Sequence, residues 1–268
     1  MTKHFIKGTI FLILISFLAV NPLLAATKSE GQGIIKKSQQ AFYYAGKDFK
    51  ARVFMKLINP QGQQRIRDLV MLRKNEPNEE QRYFIYFYEP ADVRNTTFMV
   101  FKYPNKDSSR WLFIPSINMV KRIAANDKRS SFIGSDFTYE DISGRDIIFD
   151  THTLLREEAQ GGKACYVVES IPKEESEYTK KISWIDKTNF LPLKEEYYDS
   201  RGELYKVFTA DEIKTVQGFP TVTRRTMKNL KSGHRTEVTF KEVNYNLGIE
   251  EDLFSERNLK NPPQRWIK

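Results

Sequence analysis

From Phe49 onward the hydrophobic positions recur every second residue. Phe49, Ala51, Val53, Met55 and Leu57 alternate with Lys50, Arg52, Phe54, Lys56 and Ile58, the period of a strand that buries one face. Asn59-Pro60-Gln61-Gly62 turns the chain, and Gln64–Arg73 returns as a second strand. Arg82–Tyr88, Thr96–Tyr103 and Arg110–Ile114 come next. Thr153–Ala159, Ala164–Ser170, Lys180–Asp186, Leu193–Tyr198, Leu204–Glu212, Thr221–Asn229 and Arg235–Tyr245 complete the series. Gly161-Gly162, Asp199-Ser200-Arg201-Gly202 and Lys231-Ser232-Gly233 mark hairpin turns between neighbours. Ahead of the strands, Ile34, Ile35, Ala41, Phe42 and Ala45 share one face at helical spacing, predicting a long helix over Glu30–Ala45. No linker or repeat divides the strands. Residues 27–268 therefore read as one mainly β domain whose antiparallel sheet must close or curl to protect its edges.

Two stretches break the pattern. Pro115–Asp150 fits no strand period and is too long for an ordinary connection, so it is either functional or a lid with its own packing. Tyr83–Tyr88 and Phe98–Phe101 carry large apolar side chains at consecutive positions, whereas a half-buried strand alternates with polar ones. Either a second layer covers the outer face of these strands, or one face lines an apolar cavity.

The first residues follow a different plan. Lys3, His4 and Lys7 precede an apolar run, Thr9–Val20, which ends at Asn21-Pro22 before Leu23-Leu24-Ala25-Ala26. This predicts a secretory signal peptide over residues 1–26, cleaved after Ala25 or Ala26, because the run is shorter than the ~20 residues needed to span a bilayer. With a single cysteine, Cys165, no intramolecular disulfide can form. An exported chain without disulfides points to the periplasm of a Gram-negative bacterium.

Charge narrows the chemistry. Lys and Arg number 43 against 34 Asp and Glu, a formal net charge of +9. The basic residues fall in short pairs, Lys121-Arg122, Lys128-Arg129, Lys180-Lys181 and Arg224-Arg225, suited to solvated sheet edges and transient contact with an anionic membrane surface. They form no stripe of the kind that binds nucleic acid. There is no GxSxG, HExxH, P-loop or glycine-rich dinucleotide turn, so no catalytic residue, metal site or cofactor is expected. His152 and His234, at a strand start and a hairpin turn, are expected to be solvated. Asp136 is expected to cap a helical turn, and Cys165 to be a buried, inert thiol. What remains distinctive is the aromatic content of 13%, with 19 Phe, 13 Tyr and 3 Trp.

Four segments carry a family likeness: Phe87-Tyr88-Glu89-Pro90-Ala91-Asp92-Val93-Arg94-Asn95-Thr96-Thr97-Phe98, Arg110–Pro115, Val120–Ile123 and, most distinctive, Ser131-Phe132-Ile133-Gly134-Ser135-Asp136-Phe137-Thr138-Tyr139-Glu140-Asp141. With a leading helix and a long meander, the chain resembles the LolA-like superfamily of periplasmic lipoprotein carriers, and within it the outer membrane lipoprotein-sorting proteins. Asn95 stands where that group often has glycine, and the chain is longer than the carrier that names the superfamily. The resemblance implies an unclosed, curved β-barrel with an N-terminal helix and a helical or loop lid. Inside it would lie the acyl chains of a lipoprotein or lipid passed from an inner-membrane transporter (RND-type or ABC-type) to an outer-membrane acceptor, without enzymatic chemistry. It also implies a lid containing Phe132, Phe137 and Tyr139, latched by Arg52. The uncharged face of each early strand supplies the expected cavity lining: Val53, Met55, Leu57, Ile85, Phe87, Met99, Phe101, Trp111 and Phe113. A lipid-sensing or regulatory binding module with the same fold is the other open reading.

Overall fold

The computed structural model describes residues 22–268, with side chains from Thr27 onward. The stretch expected as a signal peptide therefore lies outside the residues whose side chains are described. Helix α1 (Pro22–Tyr43) leads into β1 (Asp48–Ile58), β2 (Gln64–Asn75), β3 (Gln81–Glu89), β4 (Thr97–Lys102), β5 (Ser109–Ile114) and β6 (Met119–Arg122). After the short helix α2 (Tyr139–Ser143) come β7 (Asp150–Gln160), β8 (Lys163–Pro172), β9 (Lys180–Asp186), β10 (Pro192–Tyr198), β11 (Leu204–Val216), β12 (Phe219–Asn229) and β13 (Arg235–Tyr245). All thirteen strands join one antiparallel sheet in the order β6-β5-β4-β3-β2-β1-β13-β12-β11-β10-β9-β8-β7. The sheet curves but does not close, since β6 and β7 each have one free edge. Met119–Arg122, assigned by its sequence to the irregular stretch, is in fact the edge strand β6. It pairs Met119 with Ile114 and Arg122 with Trp111, and an edge strand with one solvated side needs no apolar alternation.

That strand order explains the long connection. The first meander runs outward from β1 to one edge, and the second begins at the other edge and returns until β13 pairs with β1. Residues 123–149 must travel between the two edges, and they do so across the concave side. Helix α1 covers the same side at the β7–β9 end, where Ile34 and Ile35 pack on Val168 and Ile185. A Cβ on Gly31 would lie 2.7 Å from the backbone nitrogen of Leu154 on β7, so only glycine lets helix and strand approach this closely.

Both faces of β2–β4 are buried, which accounts for the unbroken apolar runs. Leu69, Met71, Tyr83, Ile85, Phe87, Phe98 and Val100 face the concave core. Val70, Leu72, Phe84 and Met99 face a second core on the convex side, closed by Ile249, Leu253, Phe254, Leu259 and Ile267 of the C-terminal segment. Short helices α3 (Glu256–Lys260) and α4 (Gln264–Ile267) belong to this strap. Asp48 redirects the chain there. Its carboxylate, on a residue only 4% exposed, accepts backbone N–H bonds from Leu247 (2.7 Å), Gly248 (2.8 Å) and Ile249 (3.0 Å). Further along, Thr97 Oγ1 donates to the Leu259 carbonyl at 2.6 Å and Tyr88 donates to that of Ile267.

Asp48→Ala leaves those amides without their acceptor. The expected loss is about 3–5 kcal/mol of unfolding free energy in urea titration, given ~1–3 kcal/mol per orphaned group. Asp48→Asn, which keeps one acceptor oxygen, should lose less.

Candidate functional site

The concave face divides into an apolar half under β1–β5 and a polar half under β8–β12. In the apolar half Val53, Met55 and Leu57 of β1 and Ile85 and Phe87 of β3 lie on the concave face, with Leu69 and Met71 of the intervening β2 between them. Phe132, Phe137, Tyr139 and Ile142 of the crossing segment descend onto them. Phe132 has its ring centroid 5.2 Å from Phe98 and 6.0 Å from Phe87, with Tyr139 5.6 Å away. The lid thus fills the concavity with its own aromatic side chains.

Four expected lining residues lie elsewhere. Met99, Phe101, Trp111 and Phe113 point to the convex core under the C-terminal strap, and Phe98, Val100 and Leu112 take the inward positions. With both faces apolar, alternation carried no information about which face was which, and a one-residue choice of parity reverses every side chain. Arg52 also lies on the convex side. Its guanidinium grips Asp68 through Nε (2.5 Å) and Nη2 (2.6 Å) and stacks 3.5 Å over the Tyr88 ring, so it touches no lid residue.

The lid is instead pinned from several sides. The backbone N–H of Asp136 donates to Thr236 Oγ1 at 2.9 Å, the Thr236 hydroxyl donates to the Asp136 carboxylate at 2.7 Å, and His234 Nδ1 lies 2.6 Å from the same oxygen. Asp136 is therefore a tether to β13 rather than a helix cap, and His234 is engaged rather than free. Thr138 caps α2, in a reciprocal box with Asp141. Lys102 Nζ donates to the Ser143 carbonyl at 2.7 Å, and burial pushes its pKa down to about 8.

The polar half holds paired charges. Lys181 Nζ meets Glu195 at 2.8 Å, and Ser183 and Tyr197 donate to the same carboxylate at 3.0 and 2.7 Å. Burial alone would lower the Lys181 ammonium, but the Glu195 charge outweighs it and holds it above its ordinary value. Arg145 joins Asp150 (2.9 Å) to Glu140 (3.3 Å), and Tyr178 donates to Asp150 at 2.7 Å. Lys206 serves both Glu177 (2.6 Å) and Asp141 of the lid (3.8 Å). Burial pushes the Glu177 carboxyl up to about 7, against the pull of that shared ammonium. No group of three or more His, Cys, Asp and Glu among the described residues is arranged to hold a metal ion.

Between lid, α1 and sheet lie three small gaps. One, of about 90 Å³, opens between α1 and the paired charges; one of about 60 Å³ sits below Phe42 and Tyr43; one of about 10 Å³ separates the lid from Val53, Met55 and Ile85. Arg225 borders all three, yet its sequence neighbour Arg224 made it read as one of a surface pair. Parity could have shown otherwise, because Arg225 shares its strand face with Met227 and its register partner Val238, both in the concave core. Arg73 likewise follows Leu69 and Met71 on the inward parity of β2.

His152 is buried, not solvated. Its Nδ1 lies 2.8 Å from Ser170 Oγ and its Nε2 lies 3.0 Å from the Ile147 carbonyl. A neutral ring satisfies both, with Nε2–H donating to the carbonyl and the Ser170 hydroxyl donating to Nδ1. Burial accordingly lowers its pKa below the ordinary value. The unfolded chain then binds the extra proton first, so stability falls as pH drops through about 6.5 toward the folded-state pKa. Thermal unfolding midpoints of His152→Gln should vary less with pH over that window than those of the parent; an unchanged profile would remove His152 as the cause.

The geometry has close parallels. An outer membrane lipoprotein-sorting protein domain from Vibrio parahaemolyticus is 29% identical, with a TM-score of 0.81 over 87% of this chain and 99% of that one. A DUF1329 family protein from Desulfovibrio piger is 25% identical, with the same TM-score and coverage. A LolA superfamily protein from Nitrosomonas europaea, 22% identical over 85% of this chain and 98% of that one, shares the fold with a TM-score of 0.66. Among curated proteins no relative is detected. A family model described as "-like: Uncharacterized protein" matches residues 79–261. The chain belongs to the family of that model, and its unclosed, lidded sheet is LolA-like.

Proposed function

We propose that this protein is a periplasmic, non-enzymatic carrier that takes acyl chains of a lipoprotein or lipid into its concave face. It would pass them from an inner-membrane transporter, of RND or ABC type, to an outer-membrane acceptor. The observation that carries this reading is that an apolar sheet face is covered by a crossing segment of the same chain and not by a second sheet. Phe132, Phe137 and Ile142 occupy the space an acyl chain would need, and the segment bearing them is joined to the sheet by those side chains and by polar contacts from Thr236, Lys102 and Lys206. The similarity to a lipoprotein-sorting domain supports the same reading.

Magnitudes favour exchange. Removing those three side chains from the core forfeits about 5–9 kcal/mol, at ~1.5–3 kcal/mol each. A sixteen-carbon chain burying about 0.8 kcal/mol per methylene gains about 12 kcal/mol. The small surplus suits a carrier, which must also release its cargo. Acyl chains left bare in water would forgo all of that gain, so they require such a shelter between two membranes.

Mass spectrometry of lipids extracted from the protein purified from periplasm should show bound acylated species. A protein that carries none and also excludes fluorescent acyl probes is not a carrier. A second expectation concerns the tether. Thr236→Val keeps the shape of the floor but removes both hydrogen bonds to Asp136, weakening closure by about 1.5 kcal/mol. Uptake of a fluorescent fatty acid should then accelerate on the order of tenfold in stopped-flow traces. Unchanged kinetics would mean that the lid does not gate entry.

A further inference from the structure

The gap of about 60 Å³ under the end of α1 has an unusual lining. Two guanidinium groups, Arg73 and Arg225, border it together with Tyr83 and Tyr245, and no carboxylate does. Elsewhere in the polar half, Glu195, Asp150, Glu140, Glu177 and Asp141 each have a cation within 4 Å. Arg73 and Arg225 have no carboxylate at that distance among the described residues. Arg73 is 5% exposed and donates through Nη2 to the Ala45 carbonyl, leaving Nε without an acceptor. The Arg225 side chain makes no hydrogen bond among the described residues; its Nε is buried and unpartnered, and its guanidinium lies 4.8–5.5 Å from the rings of Phe240, Phe137 and Phe42. Ring faces offset part of the cost of burying a cation, but an opposite charge with hydrogen-bond acceptors offsets far more. The concave face therefore carries two cations without an ion-pair partner at one place, and both border the gap.

We propose that this gap is the head-group site for an anionic amphiphile, whose carboxylate or phosphate oxygens pair with Arg225 and Arg73. A planar guanidinium matches either oxyanion through paired N–H donors. The space admits about four waters by the usual measure, hence a compact head rather than a sugar or a peptide. The tail has a continuous route. Met71, Phe240 and Ile142 border both this gap and the narrow one over Met55 and Ile85, so a chain displacing the lid aromatics runs directly from the guanidinium pair along β1–β3. This inference rests on the carrier reading and adds the class of ligand to it: a single chain with a charged end.

The full exported chain, freed of lipid, is titrated by calorimetry with palmitate, hexadecyl phosphate, hexadecanol and inorganic phosphate. Palmitate or hexadecyl phosphate should bind at least tenfold more tightly than hexadecanol, and the tighter of the two identifies the head as carboxylate or phosphate. Inorganic phosphate should bind far more weakly than either. Arg225→Gln and Arg73→Gln should each reduce the preference for the charged head several-fold, leaving hexadecanol affinity within about twofold, while Arg225→Lys should retain part of it. Equal affinity of the parent protein for hexadecanol and the charged amphiphiles overturns the head-group site and leaves the carrier standing. So does a preference that survives both glutamine variants. Phosphate binding as tightly as hexadecyl phosphate would make the site one for a free anion and overturn the amphiphile. Failure of all three chain-bearing ligands overturns the carrier reading and this inference together. Far-UV circular dichroism of each variant identifies any that fails to fold, and the head-group preference of the parent protein decides the question without them.

Discussion

The structure depends on covering a sheet that is apolar on both sides. Phe84 and Ile85, adjacent on β3, are each fully buried yet point to opposite faces. Neither face can be left to water, and a single sheet has no second sheet to pack against. The chain supplies a cover for each face from a segment outside the main meanders. The two covers differ in how they are attached. The C-terminal strap is anchored where it leaves the sheet by the buried Asp48 carboxylate and again near its end by Thr97 and Tyr88. The inner lid sits above small gaps and is held by its buried aromatic side chains and by polar contacts at its margins.

Topology makes the lid a by-product of strand order. Because β1 and β13 meet in the middle, the chain must pass from one free edge to the other between β6 and β7. In a strongly curved sheet the short way runs over the concave mouth. A connection placed there is available to bury aromatic residues on the floor, and it leaves both sheet ends unpaired with each other. The connection between the two free edges therefore also covers the concave face.

Charge is distributed unevenly over this interior. At the β8–β12 end, acid and base are matched in pairs that join neighbouring strands and tie α2 to the sheet. Toward the apolar floor the matching stops, and Arg73 and Arg225 border a small gap with aromatic rings as neighbours. An unmatched buried cation lowers stability unless something binds it, and proteins retain such arrangements where function requires them. The apolar floor and the unmatched guanidiniums are adjacent, so a ligand with one oily and one charged end satisfies both.

Much of this was legible in the residues themselves. Period-two alternation located twelve of the thirteen strands and the turns between them, and helical spacing located α1. Consecutive aromatics on β3 left open a second covering layer or an apolar cavity, and the structure covers both faces. These are local properties, dictated by the period of side chains along a backbone. Parity on β4 and β5, the convex position of Arg52, the burial of His152 and the inward turn of Arg225 were set by pairing across the sheet and by which segment returned to cover which face. Where a strand is apolar on both sides, nothing in its own sequence distinguishes inside from outside; the register with its neighbours and the path of a distant C-terminal strap make that choice.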